Sequence, residues 1–205
     1  MIGRFDFSNS YRVEARGFSG GIWILWNDDI WVDILTISNQ FIYCVVSSAA
    51  YLTPLFVIVV YASPSISYRR LLWTNLERLN SGNGCPWLLG GDFNAILRPD
   101  ERIGGAMNRV GTSNSFIDFV DGFGLSDLGF NGLSFTWSRG SLKQRLDRCL
   151  VNTCWLTEFS DSAVFHLDHL GSDHRPIFLL MKPKIHVPKN QTFRFLFAWR
   201  QHPGF

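Results

Sequence analysis

The chain has 205 residues and a mass of 23.4 kDa, long enough to bury about 70% of its unfolded surface around one sizeable core. Its 46% hydrophobic and 18% charged residues exclude a disordered or fibrous protein, and a formal net charge of +2 singles out no class of partner. Four cysteines, Cys44, Cys85, Cys149 and Cys154, show no CxxC spacing and no short secreted context. They read as reduced thiols rather than disulfides or zinc ligands, which predicts an intracellular protein. Met1 to Phe7 has neither the apolar core nor the cleavage site of a signal peptide.

In chain order, residues 1–19 are mixed and polar. Gly20-Gly21 turns into an apolar strand, Ile22 to Trp26, which Asn27-Asp28-Asp29 ends. Ile30 to Ser38 and Gln40 to Ser47, rich in Ile, Val, Phe and Tyr, predict two further strands. No charged residue occurs between Ile34 and Tyr68, yet Pro54 and scattered Ser, Thr, Asn and Gln interrupt every window of about 20 apolar residues that a membrane span needs. Buried strands explain the run, and the continuously apolar Leu55 to Tyr61 suits a strand covered on both faces.

After Ser63-Pro64-Ser65 the period becomes helical. Leu72, Leu76 and Leu79 recur with Trp73 beside them, Arg69, Arg70, Glu77 and Arg78 fill polar positions, and Ser81-Gly82-Asn83-Gly84 ends the helix. Pro86 to Leu89 is a short strand, and Arg98 to Gly111 a polar, glycine-bearing loop. Phe116, Phe119, Val120 and Phe123 give a second helix its apolar face, with Thr112 or Ser113 as N-cap. Leu133 to Ser138 and Gln144 to Val151 predict a hairpin around Arg139-Gly140-Ser141. Asn152 caps a short helix containing Trp155, and Ala163 to Leu167 and Ile177 to Met181 are the last strands. Strands that alternate with helices, and strand pairs that run directly into each other, predict a mixed α/β sandwich.

Two motifs carry chemistry. In Gly90-Gly91-Asp92-Phe93-Asn94 the glycines allow a sharp turn, and in an extended segment Asp92 and Asn94 point to one side while Phe93 packs behind. Such a pair suits a general base beside a hydrogen-bonding group; alone, it is also an ordinary strand followed by an Asp/Asn turn. Gly171-Ser172-Asp173-His174-Arg175-Pro176 changes the balance by setting a second acid beside an imidazole at another strand entrance. His166, Asp168, His169, Asp173 and His174 crowd together, but their spacing fits no tetrahedral zinc pattern, so His166 and His169 are read as structural. Asp147 stands between Arg145 and Arg148, where a solvated salt bridge competes with a catalytic role, and Tyr61 alone would be a core tyrosine.

Together and in this order, the two motifs resemble signature segments of the endonuclease/exonuclease/phosphatase superfamily, in its apurinic endonuclease-like branch. Gln144-Arg145-Leu146-Asp147-Arg148, Phe135-Thr136-Trp137 and Val60-Tyr61-Ala62-Ser63-Pro64 are similar to three further segments of that family. Gly17-Phe18-Ser19-Gly20-Gly21 through Trp26, and the tail Phe193-Arg194-Phe195 to Ala198-Trp199, resemble the endonuclease domain of plant LINE-type non-LTR retrotransposons and the segment leading towards its reverse transcriptase.

The resemblance implies a four-layer α/β sandwich of two packed mixed sheets flanked by helices, with an endonuclease-like domain over residues 1–181 and a basic-aromatic linker over 182–205. It implies hydrolysis of a phosphodiester in DNA with Mg²⁺, or Mn²⁺ in its place, in an intracellular and nuclear setting, with no membrane and no protein partner. By family match Asp92 would accept the proton of the attacking water and Asn94 would orient it. His174, held by Asp147, and Tyr61 would donate to the phosphate, and Asp173 would serve the metal. The family's opening strands, with a phosphate-facing Asn and a Glu that is the principal metal ligand, find no match here, since Glu14 does not follow an apolar strand; a front-truncated domain is expected. Two other readings stand beside the endonuclease: an inactive retroelement remnant that at most binds nucleic acid, and a phosphatase of small phosphoesters.

Overall fold

Three adjacent strands bring the site to one end of a six-stranded mixed sheet in the computed structural model, which describes residues 6–14, 21–51, 53–79, 84–105 and 114–181. The strands are β1 (Asn9–Val13), β2 (Ile22–Trp26), β3 (Ile30–Ile37), β4 (Phe41–Ser48), β5 (Leu55–Tyr61), β6 (Trp87–Asp92), β7 (Arg102–Ile103) and β8 (Ser126–Asp127). They continue as β9 (Asn131–Gly132), β10 (Trp137–Arg139), β11 (Leu142–Gln144), β12 (Asp147–Val151), β13 (Ala163–His166) and β14 (Ile177–Leu180). The helices are α1 (Ile66–Arg78), α2 (Asn114–Gly122) and α3 (Thr153–Glu158), with a 3₁₀ turn at Pro99–Glu101.

The main sheet has the order β3-β4-β5-β6-β12-β8, and smaller sheets are formed by β1-β2, β10-β11-β7 and β14-β13-β9. The mixed α/β class expected from the alternation of strands and helices is therefore the one adopted. In the main sheet β5 and β6 run parallel and the other pairings are antiparallel.

Side chains that alternate along a strand divide between the two faces of this sheet. Phe56, Ile58 and Val60 of β5 and Leu89 of β6 meet Leu72, Trp73 and Leu76 of α1 and Phe116, Phe119 and Val120 of α2. Leu55, Val57 and Leu88 face the opposite way, onto Trp155 and Phe159 at α3 and Leu179 and Met181 at β14. That double coverage accounts for the unbroken apolar run of β5. No helix among the described residues is long and apolar enough to cross a membrane.

The hairpin expected over 133–151 is shorter than its sequence suggested. β10 and β11 turn at Gly140 and pair from Trp137↔Gln144 to Arg139↔Leu142, whereas Asp147–Val151 leaves them and enters the main sheet between β6 and β8. The break falls at Arg145 and Leu146, because Arg145 turns inward to buried acids. Strand β1 also escaped the sequence reading: Asn9, Ser10 and Arg12 have low strand preference, and the pairing to β2 overrides it. Asn152 caps α3 as expected, accepting the Trp155 N–H. Gly20 of the glycine turn before β2, residues 81–83 of the helix stop, the N-cap at Thr112 or Ser113 and the tail 182–205 lie outside the described residues.

Candidate active site

Register alone brings three of the expected residues together. Tyr61 at the end of β5 pairs with Asp92 at the end of β6, and Asp92 pairs in turn with Asp147 at the start of β12. Phe93 explains why the chain turns there: its ring is fully buried in the helix-covered core, 6.2 Å from Trp73 and 5.3 Å from Phe116, so the residues on either side are left at the sheet edge.

The turn is not the extended segment expected from the sequence. Asn94 adopts a left-handed conformation with φ 47°, which Asn tolerates better than most residues. In that geometry its backbone N–H donates to Asp92 Oδ1 at 2.7 Å and its side-chain amide donates to Asp92 Oδ2 at 2.7 Å and to the Ala62 carbonyl at 2.8 Å. Asn94 thus holds the carboxylate itself. Gly91 has a matching constraint, with φ 132° and a position against β5 at which a Cβ would overlap the Val60 carbonyl oxygen.

His174 arrives from the far side. Its Nδ1 hydrogen-bonds Asp147 Oδ2 at 2.9 Å, with the proton assigned to Nδ1 because an ionised carboxylate can only accept. Its Nε2 lies 4.0 Å from Asp92 Oδ2. The Phe135-Thr136-Trp137 element fastens this arrangement. The buried Thr136 hydroxyl accepts the N–H groups of Leu146 and Asp147, both at 3.0 Å, and the Thr136 carbonyl accepts the Arg175 N–H. Trp137 bridges to His174 through the backbone, and its indole N–H donates to Asp173 Oδ2 at 2.8 Å.

These groups line an open cleft of about 740 Å³ whose walls include Tyr61, Asp92, Asn94, Trp137, Asp173 and His174. All six expected site residues therefore converge, with Asp147 just behind the wall. Burial, followed by the charge of Asp147, pushes the Asp92 carboxyl up to about 7 against the opposing effects of the Asn94 N–H, His174 and Arg69. For His174, burial alone would lower the pKa, but the hydrogen bond and charge of Asp147, with Asp92 and Asp173, hold the imidazole above its ordinary value. The Trp137 hydrogen bond keeps Asp173 below the usual carboxylate range.

Ligating atoms of Asp92, Asp147 and His174 lie within 4.8 Å of one another, and the cleft adds Asn94 and Asp173. An oxygen-rich set of carboxylates and a carboxamide fits a hard divalent cation. Glu14 stands outside this cleft, on the exposed end of β1 and 2.8 Å from Arg12.

The sequence reading missed what surrounds Asp147. Its neighbours Arg145 and Arg148 do not pair with it but are fully buried. Arg145 contacts Glu101 at 3.0 Å and Asp127 at 2.7 Å, and Arg148 contacts the same two acids at 2.9 and 3.0 Å. The available signal was the apolar setting of these arginines, Arg145 beside Leu146 and Arg148 beside the run Cys149-Leu150-Val151. His166 is structural, as expected: buried, hydrogen-bonded through Nδ1 to the Leu133 carbonyl and stacked 4.4 Å from Phe130, whose ring also lies 4.9 Å from the Arg145 guanidinium.

A model of the endonuclease/exonuclease/phosphatase family matches residues 4–174. The chain belongs to that family. Members of the endonuclease/exonuclease/phosphatase family are divalent-metal-dependent hydrolases such as nucleases and phosphatases. No curated protein matches the chain. Among solved structures it resembles the endonuclease domain of TRAS1, a telomere-specific non-LTR retrotransposon, at 16% identity and TM-score 0.64, covering 86% of this chain and 80% of that one. It resembles the AP endonuclease LMAP from Leishmania major at 15% identity and TM-score 0.64, covering 86% and 71%. A family protein from Bacteroides thetaiotaomicron aligns at 14% identity and TM-score 0.56, over 82% and 73%. At these identities the likeness concerns the fold.

Proposed function

We propose that this domain is a Mg²⁺-dependent DNA endonuclease, of the kind carried by plant LINE-type retrotransposons, that nicks one strand of its target in the nucleus. The observation that carries this reading is the Asp147–His174 hydrogen bond set opposite Asp92 in one open cleft. Residues 1–181 form the catalytic domain, and 182–205 are a linker.

A general base works best with a pKa near the working pH, and Asp92 at about 7 meets that condition. Asn94 fixes both Asp92 oxygens and offers its remaining acceptor, Oδ1, to the attacking water. As the water oxygen bonds to phosphorus, Asp92 takes the proton, the bond to the leaving oxygen breaks, and that oxygen collects a proton from solvent. His174, kept protonated by Asp147, donates Nε2–H to a non-bridging phosphoryl oxygen, and the phenol of Tyr61, which lines the cleft, would donate to another. Asp173 would hold Mg²⁺, or Mn²⁺ in its place, and the cation would neutralise charge on the phosphoryl oxygens.

The discriminating experiment offers purified protein a labelled duplex, p-nitrophenyl phosphate and an inositol phosphate in Mg²⁺. Cleavage confined to the duplex and abolished by EDTA is the expected result. Turnover of only the small phosphoesters would replace this reading with a phosphatase, and no turnover at all would favour an inactive remnant.

A further inference from the structure

Tyr61 is the last residue of β5, and the turn that follows it, Ala62-Ser63-Pro64, is held by three separate segments of the chain. The Tyr61 N–H donates to the Gln40 carbonyl at 2.9 Å, and the Ala62 N–H donates to the Asp92 carbonyl at 2.8 Å. The Ala62 carbonyl accepts the Asn94 amide, and the Ser63 N–H donates to Gln40 Oε1 at 2.8 Å. From the other side Arg69 Nη1 donates to the Ser63 and Pro64 carbonyls at 2.9 and 2.8 Å. Gln40 lies in the turn between β3 and β4, and its Nε2 crosses to the Tyr68 carbonyl of α1 at 3.1 Å. Gln40 and Arg69 are only 7% and 8% exposed, and neither lines the catalytic cleft.

Fold stability alone gives Arg69 no reason to be there. It makes no ion pair among the described residues, and its Nε–H is buried without a hydrogen-bond partner, which costs stability rather than adding it. What its bonds fix, together with those of Gln40, is the backbone on the far side of Tyr61. A sheet ladder restrains the last residue of a strand from one side only, so the direction of its side chain depends on the turn that follows. On the reading of Tyr61 as a donor to the phosphoryl group, on which this step rests, we propose that Gln40 and Arg69 are positioning residues that clamp this turn and hold the Tyr61 phenol in register with the scissile phosphate. Neither touches substrate. A donor already in place when charge develops needs no reorganisation during the step, and small misplacements of such a group are costly.

The experiment uses the whole chain and asks whether the two residues act through the phenol. Gln40→Met, Arg69→Lys and Tyr61→Phe are assayed for nicking of a labelled duplex in Mg²⁺, and each of the first two is also combined with Tyr61→Phe, all below the lowest melting temperature of the set. Arg69→Lys keeps the positive charge that Asp92 feels but not the fixed geometry of the guanidinium. Tyr61→Phe should lower kcat by about 10²-fold, as expected for loss of one preorganised donor. Gln40→Met and Arg69→Lys should each lower kcat about tenfold with KM unchanged, and neither should lower it further once the phenol is gone. Either variant decides the question should the other fail to fold. In metal-free protein carrying 3-fluorotyrosine, the Tyr61 fluorine resonance, identified by its loss in Tyr61→Phe, should shift or broaden in both. Losses that persist undiminished in the Tyr61→Phe background, wild-type kcat in Tyr61→Phe itself, or an unchanged fluorine resonance would overturn this role and leave the nuclease intact. If wild type cleaves no phosphoester, the proposed function and this role fall together.

Discussion

Asp147 Oδ2 and His174 Nδ1 meet at 2.9 Å although the residues lie on separate elements, one opening a strand of the main sheet and the other in the loop before β14. A carboxylate in that position fixes the ring and favours the imidazolium. Asp147 also raises the Asp92 pKa through its charge. Asp147→Asn should therefore lower kcat by about 10²- to 10⁴-fold. It should move both limbs of the pH–rate profile to lower pH: the acid limb because Asp92 ionises more easily, the alkaline limb because His174 loses its proton sooner. A profile that drops in height with unshifted limbs would contradict the proposed roles.

Asp92 carries a cost to the fold. Its folded pKa of about 7 exceeds the ordinary 3.8, so the folded state binds the extra proton and stability declines as pH rises between those values. In metal-free buffer at pH 7, Asp92→Asn should stabilise the protein by roughly 1–3 kcal/mol, the lower end reflecting the hydrogen bond lost at Asn94. Near pH 3.5 the difference should vanish. Urea unfolding at both pH values measures it, and a destabilised variant at pH 7 would show that Asp92 is ionised without penalty.

The buried quartet of Glu101, Asp127, Arg145 and Arg148 works in the opposite sense. Burial alone would raise the pKa of both acids, but the arginine hydrogen bonds and charges outweigh it and hold them below the usual carboxylate range. Their contribution is present above that range and is lost as pH falls through the depressed values. Arg148→Met should cost about 3–5 kcal/mol by leaving Glu101 with too few partners. Glu101→Met/Arg148→Met should cost less than the sum of the single changes, which a double-mutant cycle in urea resolves.

Much of this was legible in the sequence, for local reasons. The Asp92 turn follows from two glycines, a short strand and an aromatic residue to bury, all adjacent in the chain. The apolar run of β5 and the helical spacing of Leu72 and Leu76 are equally local. What escaped notice depends on distance: the acids that bury Arg145 lie 44 and 18 residues away, at Glu101 and Asp127. Nothing in Arg145-Leu146-Asp147-Arg148 itself says that two of its charges turn inward and the third towards His174. The pairing of Asp147 with His174 was visible through family resemblance and not through periodicity. The left-handed turn at Asn94 replaced the extended geometry because the carboxylate of Asp92 recruits both the backbone and side-chain N–H groups of Asn94.

Gly91 sets the spacing between β5 and the site. Gly91→Ala should destabilise the fold by about 2–4 kcal/mol, since the φ of 132° is strained for alanine and the new methyl group displaces the Val60 carbonyl. Because Val60 precedes Tyr61 and Gly91 precedes Asp92, the remaining folded protein should also nick more slowly. Gly90→Ala makes the control: its Cβ meets only Cys149 Sγ at 3.7 Å, an ordinary contact. Equal melting temperatures for the two variants would contradict the close approach.

The most direct measurement of the central claim is the conversion of supercoiled plasmid to open circle by wild type, His174→Ala and Asp92→Asn in Mg²⁺, with EDTA as the metal-free arm. The account predicts open circles from wild type in Mg²⁺ alone and a loss of at least about 10²-fold in each variant. Open circles formed at the wild-type rate by His174→Ala, or in EDTA, would contradict it.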